Sequence, residues 1–201
     1  RYGQSAAKYA GYRLLQGVTF AYQPVVPLVF GEGVDADGSF YEVEKLSGMT
    51  LKECFDSGAS NRRKLLVLGK CVDQLIEIDK HGLVVFDRHS SNIVVDTSNA
   101  LPSIRQIDTD TLLDKNSGVV IGTDQEKYTQ MVKDLETWGA DLWMKEINKL
   151  AADAKYAIGP QSAAGKVFEP FKEISTAPDR QHALASFKSA IQKAQSLAAA
   201  P

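Results

Sequence analysis

HGLVVFDRHSSNIVVDTSNALPSIRQIDTD runs from His81 to Asp110. Three apolar, β-branched runs within it, Leu83 to Phe86, Ile93 to Val95 and Ile104 to Ile107, have the composition of short strands. The first two are separated by the polar stretch DRHSSN, and the second and third by a turn-like segment from Thr97 to Pro102. The polar residues that interrupt the strands are Asp87, Asn92 and Asp108. Asn92 follows Asp87 by five residues and stands directly before a strand, while Asp108 stands where the third strand ends. A hairpin of the second and third strands brings these side chains toward one end of a small sheet. Two carboxylates and an amide make a hard, oxygen-rich set of the kind Mg²⁺ accepts, with water and phosphate oxygens completing its shell. Phosphoryl transfer needs that metal and a group that orients the attacking hydroxyl.

Working outward, Asn61 through Lys80 carries Leu65, Leu68, Val72, Leu75, Ile76 and Ile78 at helical spacing, which predicts a long helix ended by His81-Gly82. Thr50 with Glu53 has the pattern of a capping box opening a short helix that ends near Ser57-Gly58. Residues 5–16 are predicted helical from the spacing of Tyr9, Tyr12 and Leu15 or Leu14. Residues 25–30 read as a short strand that Pro27 demotes to an edge or delays to Leu28. GEGVDADG, residues 31–38, reads as a turn, and Phe40 to Leu46 as the return strand. From Asp124 onward the pattern is helical, over about residues 124–152 and again from Asp179 to Ala199, with a short helix near Phe168 to Ile174 between. Helices dominate and the strands are short hairpins, so the expected class is α+β rather than a parallel α/β sheet.

The 201 residues suit one domain, or one and a half small ones. A formal net charge of −2 shows no basic excess that would argue for nucleic acid or an anionic membrane. No apolar run approaches the roughly 20 residues that span a bilayer. Cys54 and Cys71 form no CxxC pair and read as buried or half-buried thiols in a reducing compartment. His81 reads as a helix terminator, His89 as a loop residue and His182 as surface. Asn61-Arg62-Arg63-Lys64 reads as a solvated basic cluster, Trp138 as buried and Trp143 as partly exposed.

The run D-R-H-S-S-N-I-V-V-D, residues 87–96, resembles the protein-kinase catalytic loop D-x-x-x-x-N followed by a strand. I-D-T-D, residues 107–110, stands where kinases carry D-F-G. YEVEKLSGMTL, residues 41–51, resembles the hinge strand and the start of the next helix, and KDLETWGADLW, residues 133–143, resembles the start of the large central helix. These matches occur in kinase order over about residues 5–143. The chain thus resembles the protein kinase-like superfamily, most closely the minimal effector kinases that bacteria secrete into host cells. The resemblance implies a kinase-like C-lobe over residues 47–201, preceded by an N-lobe remnant over residues 1–46 with a regulatory-type helix, two strands and the hinge. It implies ATP and Mg²⁺ as cofactors, Asp87 as the catalytic group at the acceptor hydroxyl, and Asn92 and Asp108 as metal ligands. Val43 would be the gatekeeper, the backbones of Glu44 and Leu46 would face adenine, and Asp134 would hold the catalytic loop. The implied partner is a protein bearing Ser or Thr, and the implied location is cytoplasmic, or the host-cell interior for a secreted effector.

Several positions depart from the family pattern. Val85 and Phe86 replace the His and Arg of H-R-D, so a phosphorylated activation loop has no arginine to pair with. Thr109-Asp110 replaces Phe-Gly, and Thr111 to Thr123 is a short substitute for an activation segment. No G-x-G-x-x-G loop and no strand with a phosphate-pairing Lys occurs. The first helix carries Ala10 or Gly11 where a Glu is expected, and Lys8 cannot replace it. A chain beginning at Arg1 is expected to lack an upstream lobe, or else to be a degenerate relative. Two other functions therefore stand beside a protein kinase. One is a pseudokinase that binds a protein partner. The other is a small-molecule kinase of the aminoglycoside type, disfavoured because Val85 occupies the position of its usual His.

Overall fold

The computed structural model describes residues 5–36, 38–86, 88–99, 101–109, 111–122, 126, 129–130, 141–172 and 180–198. Asp87, Asp134 and Trp138 lie outside these residues, as do most of the first half of the helix expected over 124–152 and the side chain of Trp143.

Helix α1 (Ser5–Gln16) is followed by the two-residue strands β1 (Thr19–Phe20) and β2 (Gln23–Pro24), then by the antiparallel hairpin of β3 (Val29–Asp35) and β4 (Gly38–Val43). The stretch expected as a turn over residues 31–38 is mostly strand: Gly31 pairs with Glu42 and Gly33 with Phe40. The two glycines weaken the strand signal because they offer no side chain to pack. The cross-strand Phe40 ring lies over Gly33, where a Cβ would stand 2.7 Å from Cζ, and so covers the bare backbone.

Strand β5 (Met49–Thr50) leads into α2 (Leu51–Asp56) through the expected capping box, in which Thr50 Oγ1 accepts the Glu53 N–H and Glu53 accepts the Thr50 N–H. Helix α3 (Asn61–Lys80) has Ser60 as its N-cap and His81 as its C-cap, and its stripe of Leu65, Leu68, Val72, Leu75 and Ile78 is wholly buried. Strand β6 (Leu83–Val85), a 3₁₀ turn at Ser90–Asn92, β7 (Ile93–Asp96) and β8 (Ser103–Gln106) follow. The expected activation-segment substitute is a further hairpin, β9 (Thr111–Asp114) and β10 (Val119–Gly122), around an Asx turn in which the Asp114 carboxylate accepts from Asn116 N–H and Ser117 Oγ. The small sheets have the orders β5-β7-β8 and β10-β9-β6. The remaining elements are α4 (Asp141–Ile158), α5 (Ala163–Lys166), a 3₁₀ turn at Glu169–Lys172, and α6 (Arg180–Ala198).

The main core joins α2, α3, β7, β8, α4 and α6. Phe187 at its centre meets Phe168 edge-on and Phe171 at a tilt, with centroids 6.1 and 5.1 Å away. Each such fully buried side chain stabilises the fold by about 1.5–3 kcal/mol. A second cluster sits beneath α1, where Tyr12 and Leu15 meet Val25, Val26, Leu83, Val85 and Leu112. An ionic chain ties the element ends together: buried Arg180 donates to both Asp79 and Glu146, and exposed Lys115 of the β9–β10 turn also donates to Asp79.

The basic cluster opening α3 is not a solvated face. Lys64 is buried and donates to Ala157 O, while Asn61 Nδ2 donates to Ile158 O. Both satisfy carbonyls at the C-terminus of α4, where a cation is favoured by the helix dipole. Arg63 donates to Thr97 O and Asn99 O, closing the β7–β8 turn, and only Arg62 of the three cations is exposed. Cys54 and Cys71 are buried free thiols, and burial pushes the Cys71 thiol up to about 12. Among the described residues, no helix is long and apolar enough to cross a membrane.

Candidate active site

Strand pairing alone brings two loops together. One loop leaves β6 and enters β7 and contains residues 86–92. The other leaves β8 and enters β9 and contains residues 107–110. Because β6 pairs with β9, through Val85 and Leu112, and β7 pairs with β8, through Ile93 and Gln106, both loops cross from one sheet to the other at the same place. The ladders extend into the loops: Phe86 N–H donates to Thr111 O at 3.2 Å, and Ile107 N–H donates to Asn92 O at 2.8 Å. Asn92 therefore lies across from Ile107, next to Asp108. Asn92 is 9% exposed, and Asp108 is half-buried with a φ of +57°. Aspartate is among the few L-residues that enter this left-handed region with any ease. The Asp108 N–H donates to the Tyr12 hydroxyl of α1 at 3.1 Å.

The first loop is anchored from below by residues that spacing did not single out. Arg88 is fully buried, and among the described residues its partners are neutral. Nη1 donates to Gln106 Oε1 at 3.1 Å, and Nη2 donates to Gln74 Oε1 at 2.7 Å and to Cys71 O at 3.3 Å. Burial lowers the affinity of this guanidinium for its proton, opposed by Cys71 and Glu146 and reinforced by the cation of Arg180. Gln74 donates in turn to Ile104 O, and Gln106 Nε2 to Ile107 O at 2.7 Å. One cation thus clamps α3, the first loop and the strand leading to Asp108. Ser90 Oγ also donates to Asp153 of α4, and His89 Nδ1 accepts the Ser91 N–H to cap the 3₁₀ turn. The only hint of this in the sequence is an arginine between an acid and a strand, which reads equally well as a solvated loop residue.

Glu44 follows β4. Its N–H donates to Leu28 O at 2.8 Å, its carboxylate accepts the Leu28 N–H at 3.1 Å, and Arg105 approaches it to 3.8 Å. The amide of Glu44 is therefore committed, leaving its carbonyl as the backbone group that can meet a ligand. Arg105 is also buried and donates to Pro24 O and Val26 O, fastening the segment before β3 to β8. Leu46 is half-buried, and Val43 at the end of β4 is 39% exposed.

The donor set fits Mg²⁺ bound to a polyphosphate better than a metal held by protein alone. Asn92 and Asp108 are hard oxygen donors, and Mg²⁺ typically takes one or two protein ligands with phosphate and water as the rest. Among the described residues, no group of three or more His, Cys, Asp or Glu could hold a metal unaided.

No protein-family model and no curated protein matches the sequence. Solved structures do match, 304 chains in all, so the likeness does not hang on one pair. Among them is a mutant of the PknI kinase domain of Mycobacterium tuberculosis, with a TM-score of 0.53 and 12% identity over 93% of this chain and 77% of that one. At that identity the likeness concerns the fold alone, a kinase-like α+β fold with helices and short antiparallel hairpins.

Proposed function

We propose that this chain is an ATP- and Mg²⁺-dependent phosphotransferase that modifies Ser or Thr of a protein. Residues 47–201 would form its C-lobe and residues 1–46 an N-lobe remnant. The observation that supports the reading is the crossing of the two loops in a kinase-like fold, where Asn92 O accepts the N–H of Ile107, the residue before Asp108. Asn92 and Asp108 would hold the metal, and Asp87 would orient the acceptor hydroxyl and take its proton. When bound, Mg²⁺ neutralises charge on the phosphates. The protein's part is mostly positioning. The Arg88 clamp holds the loop that carries Asp87 and Asn92, and the Gln106 to Ile107 link ties that loop to Asp108. The Glu44 carbonyl and the Leu46 backbone would meet adenine. A minimal effector kinase, working in the cytoplasm or inside a host cell, is the kind of enzyme this describes.

A pseudokinase is the second reading, and Gly11 favours it. The regulatory Glu is expected at Ala10 or Gly11, and at Gly11 a Cβ would stand 2.4 Å from Thr109 O, so α1 leaves no room there for a larger side chain. Thermal unfolding of the protein with and without ATP and Mg²⁺ separates the two. A metal-dependent rise in melting temperature that Asp108→Ala abolishes, with phosphate transfer lost in Asp87→Ala, supports the enzyme. A folded protein whose melting temperature ignores ATP and Mg²⁺ sinks it in favour of the binding module.

A further inference from the structure

Helix α1 meets the second loop at two consecutive residues. The Tyr12 side chain is only 5% exposed, and its hydroxyl accepts the Asp108 N–H at 3.1 Å. One position earlier, Gly11 approaches Thr109 so closely that a Cβ would stand 2.4 Å from the Thr109 carbonyl oxygen and 3.4 Å from its Oγ1. Thr109 is fully buried, and its hydroxyl finds no hydrogen-bond partner among the described residues. The helix therefore rests on the backbone of residues 108 and 109, with glycine as the seat and a phenol as the contact.

That contact falls on a backbone that would not hold its shape unaided. A φ of +57° costs an aspartate free energy, and such conformations persist only where the surroundings over-determine them. Here the surroundings act from two sides. The end of the β7–β8 ladder fixes Ile107 through Asn92 O, and α1 fixes the very next amide. Rotation about N–Cα of Asp108 decides where its carboxylate goes, and the amide that defines this rotation is the one Tyr12 holds.

We propose that Tyr12 is the positioning residue for Asp108. Helix α1 sets the metal-binding carboxylate through a tyrosine hydroxyl, and any displacement of α1 is transmitted to metal binding. This rests on the reading of Asp108 as a ligand of Mg²⁺ on the nucleotide.

The test is Tyr12→Phe, which removes the hydroxyl and keeps the ring, with Gly11→Ala as a second variant that pushes on the same loop without touching the hydroxyl. Three quantities are measured: hydrogen exchange at the Asp108 amide, the unfolding midpoint without ligand, and the Mg²⁺ concentration that half-saturates the ATP-dependent thermal shift. The expected result is faster exchange at Asp108 without ligand in both variants and a Mg²⁺ midpoint raised roughly tenfold, the scale of one hydrogen bond. An unchanged Mg²⁺ midpoint in Tyr12→Phe overturns the proposal, whether or not stability falls, because the tyrosine is then a packing residue only. So does unaltered exchange at Asp108. A wild-type protein with no Mg²⁺-dependent shift overturns the phosphotransferase reading itself and this proposal with it. That failure is recognisable because it appears before any variant is made.

Discussion

Replacing Gln74 by leucine takes from the buried Arg88 guanidinium its shortest hydrogen bond, 2.7 Å to Oε1, at a place where neither residue is exposed. An apolar side chain fills the site, so the change removes polar groups rather than opening a large void. Arg88 Nη2 keeps only the 3.3 Å contact with Cys71 O, and Ile104 O loses the Gln74 donor at 2.7 Å. A hydrogen bond from a charged group contributes about 1.5–3 kcal/mol and a neutral one about 0.5–1.5 kcal/mol. About 1 kcal/mol returns because the glutamine amide no longer has to be desolvated. The expected loss is therefore about 2 kcal/mol, a substantial part of the 5–15 kcal/mol or so that holds a typical domain folded. Urea unfolding followed by circular dichroism measures it. Arg88→Met and the double variant complete a cycle: once the cation is gone, leucine at position 74 strands no charge, so the double variant should lose less than the sum by about 1.5 kcal/mol or more. A coupling under about 0.5 kcal/mol would refute the claim that this amide cage holds Arg88, and with it the account of how the first loop is anchored.

Two further outcomes follow from single residues. The Cys71 thiol ionises at about 12 in the folded chain against an ordinary value of 9.0, so the native state keeps a proton that the unfolded chain gives up. Its contribution to stability is whole below about pH 9 and falls as the pH rises toward 12, by at most about 1.4 kcal/mol per pH unit. The urea midpoint of the wild type should decline more steeply than that of Cys71→Ala between about pH 9 and pH 10.5, and parallel curves would contradict the assignment. Gly48 has a φ of +111°, and a Cβ there would stand 2.3 Å from Val95 O in β7. Gly48→Ala should therefore cost about 3 kcal/mol or more from strain and overlap together, and a thermal midpoint near that of the wild type would show that this backbone can yield.

The sequence by itself determined what rests on local periodicity and local hydrogen bonds. The bounds of α3 follow from its apolar spacing and its terminators, and the start of α2 from a box of four residues. The strands flanking residues 86–92, and the one leading into residues 107–110, follow from short β-branched runs between polar stretches. The positions of Asn92 and Asp108 at the ends of those strands were legible for the same reason. The β9–β10 hairpin was hidden by its short, turn-rich sequence, and the glycines of β3 by a strand signal that only the ring of Phe40 across the hairpin restores.

Tertiary structure alone decided which charged side chains leave water. Arg63, Lys64 and Arg88 look alike in a sequence. Yet Lys64 is buried because the carbonyls of a helix end 93 residues away need donors, and Arg88 because α3 and β8 supply oxygens around it. The bond from Asp108 to Tyr12 joins residues 96 apart. Partners so distant leave no periodicity to read. They come together only when the core packs, and the core is where an unpaired donor or charge costs most.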